Sequence, residues 1–322
     1  MSEKGAALSD PWVDDFLQYL DSGRGYSKKT VRNYAHALRI FSAGSRRDWS
    51  ALVADDFRRH LHALSVSRKQ GTATVRLQFS ALRSFYRYLQ RRGRVKNNPI
   101  LEIRLPSPAR KLPRFFSEEQ VTAFLEAPLE MCRQLDERNS SAARGPGRRM
   151  ERWQLLRDAA ILEVFYSTGM RIQELVGMNH DDVDSQHGVV RVMGKGGKER
   201  MAVLGRPALS AYVRYRSELA GLPWFRVAVA AFVGGGGKRL TARSIQQRFK
   251  VYLARAGLDP ALSPHKLRHT FATHMLDHGA DLRNVQELLG HAQLSTTQIY
   301  AQLTPERMRR SYDASHPMAH GS

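Results

Sequence analysis

The feature that most constrains the fold is a break in the helical pattern between residues 97 and 113. Asn97-Asn98-Pro99 and Leu105-Pro106-Ser107-Pro108 cannot continue a helix, because proline lacks a backbone N–H and its ring clashes with the preceding turn. A chain of 322 residues is long enough for two hydrophobic cores. The break therefore predicts two domains, at 1–105 and 115–304, joined by a linker at 106–114.

Upstream of the break, four segments have the apolar spacing of amphipathic helices, with turns rich in Gly, Ser and Asp between them. In the last of these segments the apolar residues recur on one face, which predicts that this face packs inward. The sequence therefore predicts a small all-helical N-terminal domain. The predicted helices are 12–20, 28–43, 54–63 and 72–90.

The chain is strongly basic, with 51 Lys and Arg against 30 Asp and Glu and a formal charge of +21. Such a charge attracts polyanions, and nucleic acid is the leading candidate. Arg76, Arg83 and Arg87 form a stripe on the helix predicted at 72–90, away from its apolar face. We predict that these arginines, together with Arg243, contact DNA. The alternative interpretation is an ordinary solvated helix face.

Two classes of protein are excluded by the composition. Cys132 is the single cysteine, so an intrachain disulfide cannot form and neither can a zinc site built from cysteines of one chain. A membrane surface would also attract a basic chain, but charges interrupt the longest apolar runs and residues 1–10 lack the core of a secretory signal. We expect a cytoplasmic protein.

The second domain combines helices with a hairpin. Ser117 begins a capping box whose helix we predict to end near residue 126, before a surface insertion at 129–152. A buried helix is predicted at 157–166. The stretch 189–204 alternates around Gly194-Lys195-Gly196-Gly197-Lys198, which predicts a β-hairpin with a lysine at its tip. We therefore expect a mainly helical α+β domain with a small antiparallel sheet.

Two further patterns resemble a nucleotide-binding loop and a zinc site, but the residues around them argue against both. Four glycines and Lys238 follow the apolar run 227–233 like a nucleotide-binding loop, but Arg239 stands where Ser or Thr would hold Mg²⁺. We interpret this stretch as a turn between a strand and a helix that starts near Thr241. Several histidines of the C-terminal third lack the acidic partner of the common zinc signature. We predict no metal and no cofactor.

The C-terminal third concentrates groups that suit phosphate chemistry. Ser263 and Pro264 suit a helix start, so that His265 and Arg268 share one face and can reach one oxyanion. A second helix, 282–289, is closed by Gly290, which places His291 at the corner.

Tyr300 follows His291 by nine residues. A phenol beside several cations can act as a nucleophile on a phosphodiester, whereas most tyrosines only pack. The cations of the preceding helices favour the chemical role.

Five motifs follow one another along the second half of the chain. They are Ser167-Thr168-Gly169-Met170-Arg171-Ile172-Gln173-Glu174-Leu175, Gly194-Lys195-Gly196-Gly197-Lys198-Glu199-Arg200, His265-Lys266-Leu267-Arg268-His269-Thr270-Phe271-Ala272-Thr273-His274, Leu288-Leu289-Gly290-His291 and Ser295-Thr296-Thr297-Gln298-Ile299-Tyr300. In this order, the motifs resemble those of the tyrosine recombinases, and the resemblance covers nearly the whole chain. The segment Tyr312-Asp313-Ala314-Ser315-His316-Pro317 is more similar to the XerC branch of this family than to the XerD branch.

The resemblance implies the tyrosine recombinase fold, with a SAM-like helical DNA-binding domain followed by the catalytic domain. It implies that Tyr300 attacks the scissile phosphate, forming a 3′-phosphotyrosyl link and releasing a 5′-hydroxyl. Arg171 and Arg268 would clamp the non-bridging oxygens. Neither ATP nor a metal would be needed, because the phosphotyrosine conserves the energy of the broken bond.

Three further roles follow from the same resemblance. Lys195 would protonate the leaving oxygen, His265 would transfer the proton of the tyrosine, and His291 would donate a hydrogen bond to the phosphate. Lys198 is the alternative to Lys195. We expect Glu174 to be a structural partner of a nearby cation.

The resemblance also implies partners: a chromosomal resolution site in double-stranded DNA, a XerD-like recombinase in a heterotetramer, and the septal DNA translocase. The tail 305–322 would dock on the adjacent protomer. Four alternatives remain open at this point. They are a XerD-like or mobile-element recombinase, a type IB topoisomerase, a DNA-binding protein without activity, and a metal-dependent nuclease.

Overall fold

The computed structural model describes residues 10–23, 26–45, 47–107, 115–140, 151–194, 197–222, 225, 229–290 and 312–317. The chain divides into two compact units, Met1–Leu112 and Pro113–Ser322. The division falls inside the proline-rich break. We refer to the two parts as the N-terminal unit and the C-terminal unit.

The described part of the N-terminal unit contains four α-helices, and all four predicted helices are confirmed to within one or two residues. Asp10 caps the first, accepting a hydrogen bond from the Trp12 backbone N–H at 3.0 Å, and Ser27 caps the second, accepting from the Thr30 N–H at 3.2 Å. The helices are α1 (Pro11–Gln18), α2 (Lys28–Gly44), α3 (Ala54–His62) and α4 (Thr72–Arg91).

The core of this unit is aromatic. Phe41 stacks on Trp49 and on Phe57, with ring centroids 5.4 and 4.9 Å apart. The predicted apolar face of α4 is buried, and Tyr86 on that face donates a hydrogen bond to the Trp49 carbonyl at 2.7 Å. Ile103 is buried as well, so the chain stays on this core beyond the end of α4.

The C-terminal unit combines helices with a three-stranded antiparallel sheet in the order β1-β2-β3. The predicted hairpin is confirmed, and the Gly194 N–H closes it by donating to the Lys198 carbonyl at 2.7 Å. No described helix is long and apolar enough to cross a membrane. The elements are α5 (Glu118–Ser140), α6 (Arg152–Thr168), α7 (Ile172–Gly177), β1 (Val183–Asp184), β2 (Val189–Met193), β3 (Glu199–Val203), α8 (Arg206–Leu219), α9 (Ala242–Arg255), α10 (Pro264–Asp277) and α11 (Leu282–Leu289).

Helix α6 is the centre of this unit and is buried along most of its length. It carries a buried ionic network in which Asp158 accepts hydrogen bonds from Arg157 at 2.9 Å, Arg248 at 2.8 Å and the Tyr252 hydroxyl at 2.6 Å. Arg157 also donates to the Val233 carbonyl at 2.9 Å. A buried charge is tolerated only when it is paired in this way, so the network fixes α9 and the segment at Val233 onto α6.

Two sequence predictions are wrong in this unit. The helix predicted to end near residue 126 runs on to Ser140 through Pro128, so the first half of the expected insertion at 129–152 is helical. Pro128 removes one backbone hydrogen bond, but Phe124, Leu125 and Cys132 are buried on either side of it and hold the helix in place. Residues 141–150 lie outside the described part of the chain.

Within the run 227–233, the described residues 229–233 do not form the predicted strand. Its described residues make only isolated bridges, Asn179 with Ala230 and Val233 with Arg239, although Phe232 and Val233 are buried. The apolar residues fill the core without joining the sheet. The helix predicted to start near Thr241 is confirmed, since Thr241 caps α9.

The described end of the chain packs against its own C-terminal unit. Tyr312 is 1% exposed, and its hydroxyl lies 2.8 Å from the Ser167 hydroxyl. His316 stacks on Tyr312 with ring centroids 4.4 Å apart. The sequence-based expectation was that the tail docks on an adjacent protomer. The described contacts of 312–317 lie within one chain, residues 305–311 and 318–322 lie outside the described part, and docking of the tail 305–322 stays a prediction.

Candidate active site

A glycine turn after α6 sets the geometry of the site. Gly169 ends α6 in the left-handed region, with φ +55°. A Cβ at this position would lie 2.9 Å from Leu289 Cδ2 and closer still to Phe271 Cδ1. Only glycine therefore lets the turn lie against α10 and α11 and lead directly into Arg171.

Arg268 on α10 lies beneath this turn and is 7% exposed. Its guanidinium donates from Nη1 to the Gly169 carbonyl and from Nη2 to the Leu289 carbonyl at 2.8 Å. Burial lowers the pKa of Arg268 to about 10, and the nearby Arg171 and Arg200 act in the same direction while Glu174 opposes them. The group remains a cation at neutral pH, held in one orientation by two backbone carbonyls.

Arg171 is the N-cap of α7 and is half exposed. Its backbone N–H donates to Glu174 Oε2 at 2.8 Å, and its Nη1 donates to Glu174 Oε1 at 2.8 Å. Glu174 is itself buried. The prediction that Glu174 is a structural partner of a cation is confirmed, and the pairing orients Arg171 while leaving part of its side chain accessible.

A third guanidinium, which the sequence analysis did not single out, completes the cluster. Arg200 on β3 donates from Nη2 to Glu174 Oε2 at 2.9 Å and is buried. The strand register pairs it with Val192 on the apolar face of the sheet. A charged residue at a core-facing position of the alternating pattern is the signal that could have identified it.

Of the remaining predicted catalytic residues, only some lie in the part of the chain that the structure describes. His265 is exposed in the first turn of α10, three residues before Arg268 and therefore on the same face. Lys198 is exposed at the base of the hairpin loop. Lys195, His291 and Tyr300 lie outside the described residues, although the paired strands β2 and β3 flank Lys195. Gly290, which precedes His291, has the predicted left-handed conformation, with φ +68°.

His274 has a structural role. Its Nδ1 lies 2.9 Å from the Tyr166 hydroxyl and its Nε2 lies 3.0 Å from the Phe116 carbonyl. Both ring nitrogens are thereby engaged, and burial lowers the pKa of His274. Among the described residues, no group of three or more His, Cys, Asp or Glu side chains is arranged to hold a metal ion.

Comparison with known proteins identifies the family. The profile described as Phage integrase family matches residues 149–307, and that of the phage integrase N-terminal SAM-like domain matches residues 13–93. This chain belongs to the phage integrase family. It is a XerC-like tyrosine recombinase, and the class of reaction is the breaking and rejoining of DNA. The resemblance drawn from the motifs is confirmed.

The relatives of this recombinase are similar over almost their full length. It is 39% identical over 312 residues to the tyrosine recombinase XerC of Salmonella typhi, covering 95% of this chain and 96% of that protein. The XerC of Alcanivorax borkumensis is 37% identical over 308 residues, covering 95% and 94%. The fold matches the XerH recombinase bound to a palindromic difH substrate, at 21% identity, a TM-score of 0.64 and coverage of 93% and 83%.

The arginines that we predicted to contact DNA differ in their surroundings. Arg76 and Arg83 donate to the carbonyls of Pro106 at 3.3 Å and Ile103 at 2.8 Å, so they hold the segment 103–106, which leads into the predicted linker, against α4. Arg87 is exposed, and all three line a groove of about 530 Å³. Arg243 is exposed in the first turn of α9.

Arg239, which argued against a nucleotide-binding loop, caps the end of α7 in this recombinase. Its Nη1 donates to the carbonyls of Val176 at 2.8 Å and Met178 at 2.7 Å. These contacts satisfy carbonyls that a helix end leaves without partners. The glycines before Arg239 form a short turn and a 3₁₀-helix, Gly235–Gly237.

Proposed function

We propose that this recombinase exchanges DNA strands through a 3′-phosphotyrosyl link to Tyr300 and that it resolves chromosome dimers at cell division. The observation that carries the proposal is the pair of arginines, Arg171 and Arg268, each fixed by hydrogen bonds within the fold. Guanidinium groups oriented in advance match the charge that develops on a phosphate during transfer, without reorganisation at the moment of reaction.

The two arginines differ in their environments, and we propose that they contact the phosphate in different ways. Arg268 uses two of its five N–H donors on the carbonyls of Gly169 and Leu289, and the others remain for a phosphate oxygen. Arg171 is half exposed, so it can meet DNA while Glu174 holds it. Together they would bind the two non-bridging oxygens of the scissile phosphate.

The proposed step balances as a transesterification. A bond forms between the Tyr300 oxygen and phosphorus, and the bond from phosphorus to the 5′-oxygen breaks. His265 takes the phenolic proton, Lys195 supplies a proton to the leaving 5′-oxygen, and His291 donates a hydrogen bond to the phosphate. One phosphodiester replaces another, so we propose that the reaction needs neither ATP nor a metal ion.

For DNA affinity, we propose that Arg87 contributes more than Arg83. We expect Arg87→Gln to weaken DNA binding and to reduce the slope of log K against log salt concentration by about 1, because one phosphate contact is lost. Arg83→Gln should mainly lower the stability of the N-terminal unit, since Arg83 is committed to the Ile103 carbonyl. Fluorescence anisotropy across a salt series measures the slopes, and Arg58→Gln, paired with Asp55 on α3, is the control. Equal slopes for wild type and Arg87→Gln would exclude this contact.

A further part of the proposal concerns where the protein acts and which partners it has. We propose that the chain acts in the cytoplasm on a chromosomal resolution site, in a heterotetramer with a XerD-like recombinase, under control of the septal DNA translocase. The XerC names of its relatives support the chromosomal role, and its +21 charge supports binding to DNA. Strand exchange that is complete without a second recombinase would favour a mobile-element role.

Covalent trapping tests the proposed chemistry. The full chain is incubated with a nicked duplex that carries a candidate resolution site, in the presence of EDTA and without ATP. We expect a protein–DNA adduct that survives denaturation for the wild type, and binding without an adduct for Tyr300→Phe. Equal adduct from both proteins would remove Tyr300 from the mechanism, and an adduct that forms only with added Mg²⁺ would contradict metal independence.

A further inference from the structure

Strand β3 buries an arginine where its neighbours on the same face are apolar. Arg200 pairs in register with Val192, and the next pair on that face is Ala202 with Val190. These three apolar residues are almost fully buried, and Arg200 itself is 7% exposed. Burying an unpaired charge costs several kcal/mol, so Arg200 is tolerated at this position only through its contacts.

The first of these contacts is the carboxylate that orients Arg171. Glu174 Oε2 accepts one hydrogen bond from Arg200 Nη2 at 2.9 Å and another from the Arg171 backbone N–H at 2.8 Å. Its other oxygen accepts from Arg171 Nη1. One buried carboxylate therefore joins the hairpin strand to the start of α7, and its orientation depends on both arginines.

The second contact lies at the end of α11. A Cβ placed on Gly290 would lie 2.7 Å from Arg200 Nε and 3.0 Å from Arg200 Cδ, so the arginine side chain runs directly against this glycine. The preceding carbonyl, that of Leu289, accepts from Arg268. Two arginines thus support the corner from which the chain leads into His291.

The cluster also has a favourable charge for a phosphate. Arg171, Arg200 and Arg268 are three cations and Glu174 is one anion, which gives a formal balance of 3 − 1 = +2. Arg200 lies close enough to Arg268 to contribute to its lowered pKa. Its charge therefore acts at the site although its side chain is enclosed.

We propose that Arg200 is a positioning residue for strand cleavage: it fixes Glu174, and through it Arg171, and it supports the glycine corner before His291. The inference rests on the proposed function. Arg200 would link the hairpin that carries Lys195 to both arginines of the phosphate clamp. It does not need to touch the DNA.

The test measures single-turnover adduct formation on the nicked duplex across a range of protein concentrations. For Arg200→Met we expect the maximal rate to fall by roughly 100-fold, because a small displacement of the clamp is enough for such a loss. The concentration for half-maximal rate should stay at the wild-type value. Arg200→Lys keeps the charge and one donor to Glu174, so its rate should lie between those of wild type and Arg200→Met. The control is Arg191→Met on β2, whose arginine is exposed and bonded to Asp182.

A double-mutant cycle separates positioning from general stability. Because Arg200 and Glu174 are joined by a hydrogen bond and both position Arg171, Arg200→Met combined with Glu174→Gln should lose much less than the product of the single losses. Wild-type rates for Arg200→Met, or fully multiplicative losses, would overturn the proposal. The proposal would also be overturned if Arg200→Met lowered DNA binding and the melting temperature together and Arg200→Lys did not restore part of the cleavage rate. A wild-type chain that forms no adduct would instead refute the proposed function itself, and this inference with it.

Discussion

Replacing Arg268 by lysine is expected to lower the rate of covalent adduct formation by about 10²–10³-fold, the usual loss when one fixed donor to a transition-state oxyanion is removed. Lysine keeps the positive charge but has a single nitrogen. It cannot donate to the Gly169 and Leu289 carbonyls and also present a fork to the phosphate. The loss should appear in the maximal rate, with DNA binding largely kept.

The matched control for Arg268→Lys is Arg133→Lys. Arg133 is exposed on α5 and bonds only to a neighbouring carboxylate, Glu130, among the contacts described. Surface pairs of this kind contribute little, so Arg133→Lys should retain wild-type activity and stability. Circular dichroism and thermal melting confirm that each variant is folded. If Arg268→Lys formed adduct as fast as Arg133→Lys, the fixed guanidinium would not be needed.

The second large effect is expected at the turn between α6 and α7. Gly169→Ala should destabilise the C-terminal unit by about 2–5 kcal/mol, combining the cost of a left-handed alanine with that of overpacking. The added methyl group would collide with Phe271 and Leu289, and both partner helices are buried at this point. For a unit of this size the melting temperature should fall by roughly 5–15 °C. Adduct formation should fall as well, because the turn carries Arg171 and binds Arg268.

Gly177 provides the control within the same segment. It is the last residue of α7, and a Cβ built there meets no atom within 4 Å. Gly177→Ala should be neutral or stabilising, since alanine loses less conformational entropy in a helix by about 0.5–1 kcal/mol. Both variants are compared by thermal unfolding and by adduct formation. Equal behaviour of Gly169→Ala and Gly177→Ala would show that the turn tolerates a side chain.

Much of the fold could be predicted because local signals agree with the tertiary structure. The apolar face of α4, the caps Ser27 and Thr241, and the glycine at 290 each act over a few residues. The failures arise where packing overrides a local rule. Pro128 should end a helix, but the buried residues around it carry α5 on to Ser140.

The candidate active site was likewise predictable where motifs are local and not where the contacts are distant in sequence. Arg171 and Arg268 are recognisable from their motifs, and Glu174 from its spacing of three residues from Arg171. Arg200 was not recognised because its importance lies in contacts with residues 26 and 90 positions away along the chain, Glu174 and Gly290. The interpretation of Arg83 was incomplete for a similar reason, since its partner is a backbone carbonyl that carries no sequence signal.

The central claim is tested most directly by locating the bond between protein and DNA. The trapped adduct is digested with nuclease and trypsin, and the modified peptide is sequenced by mass spectrometry. Cleavage after Arg283 and Arg307 releases residues 284–307, in which Tyr300 is the single tyrosine. The account predicts a nucleotide joined through its 3′-phosphate to Tyr300 in that peptide. A nucleotide on any other residue, or one joined through its 5′-phosphate, would contradict it.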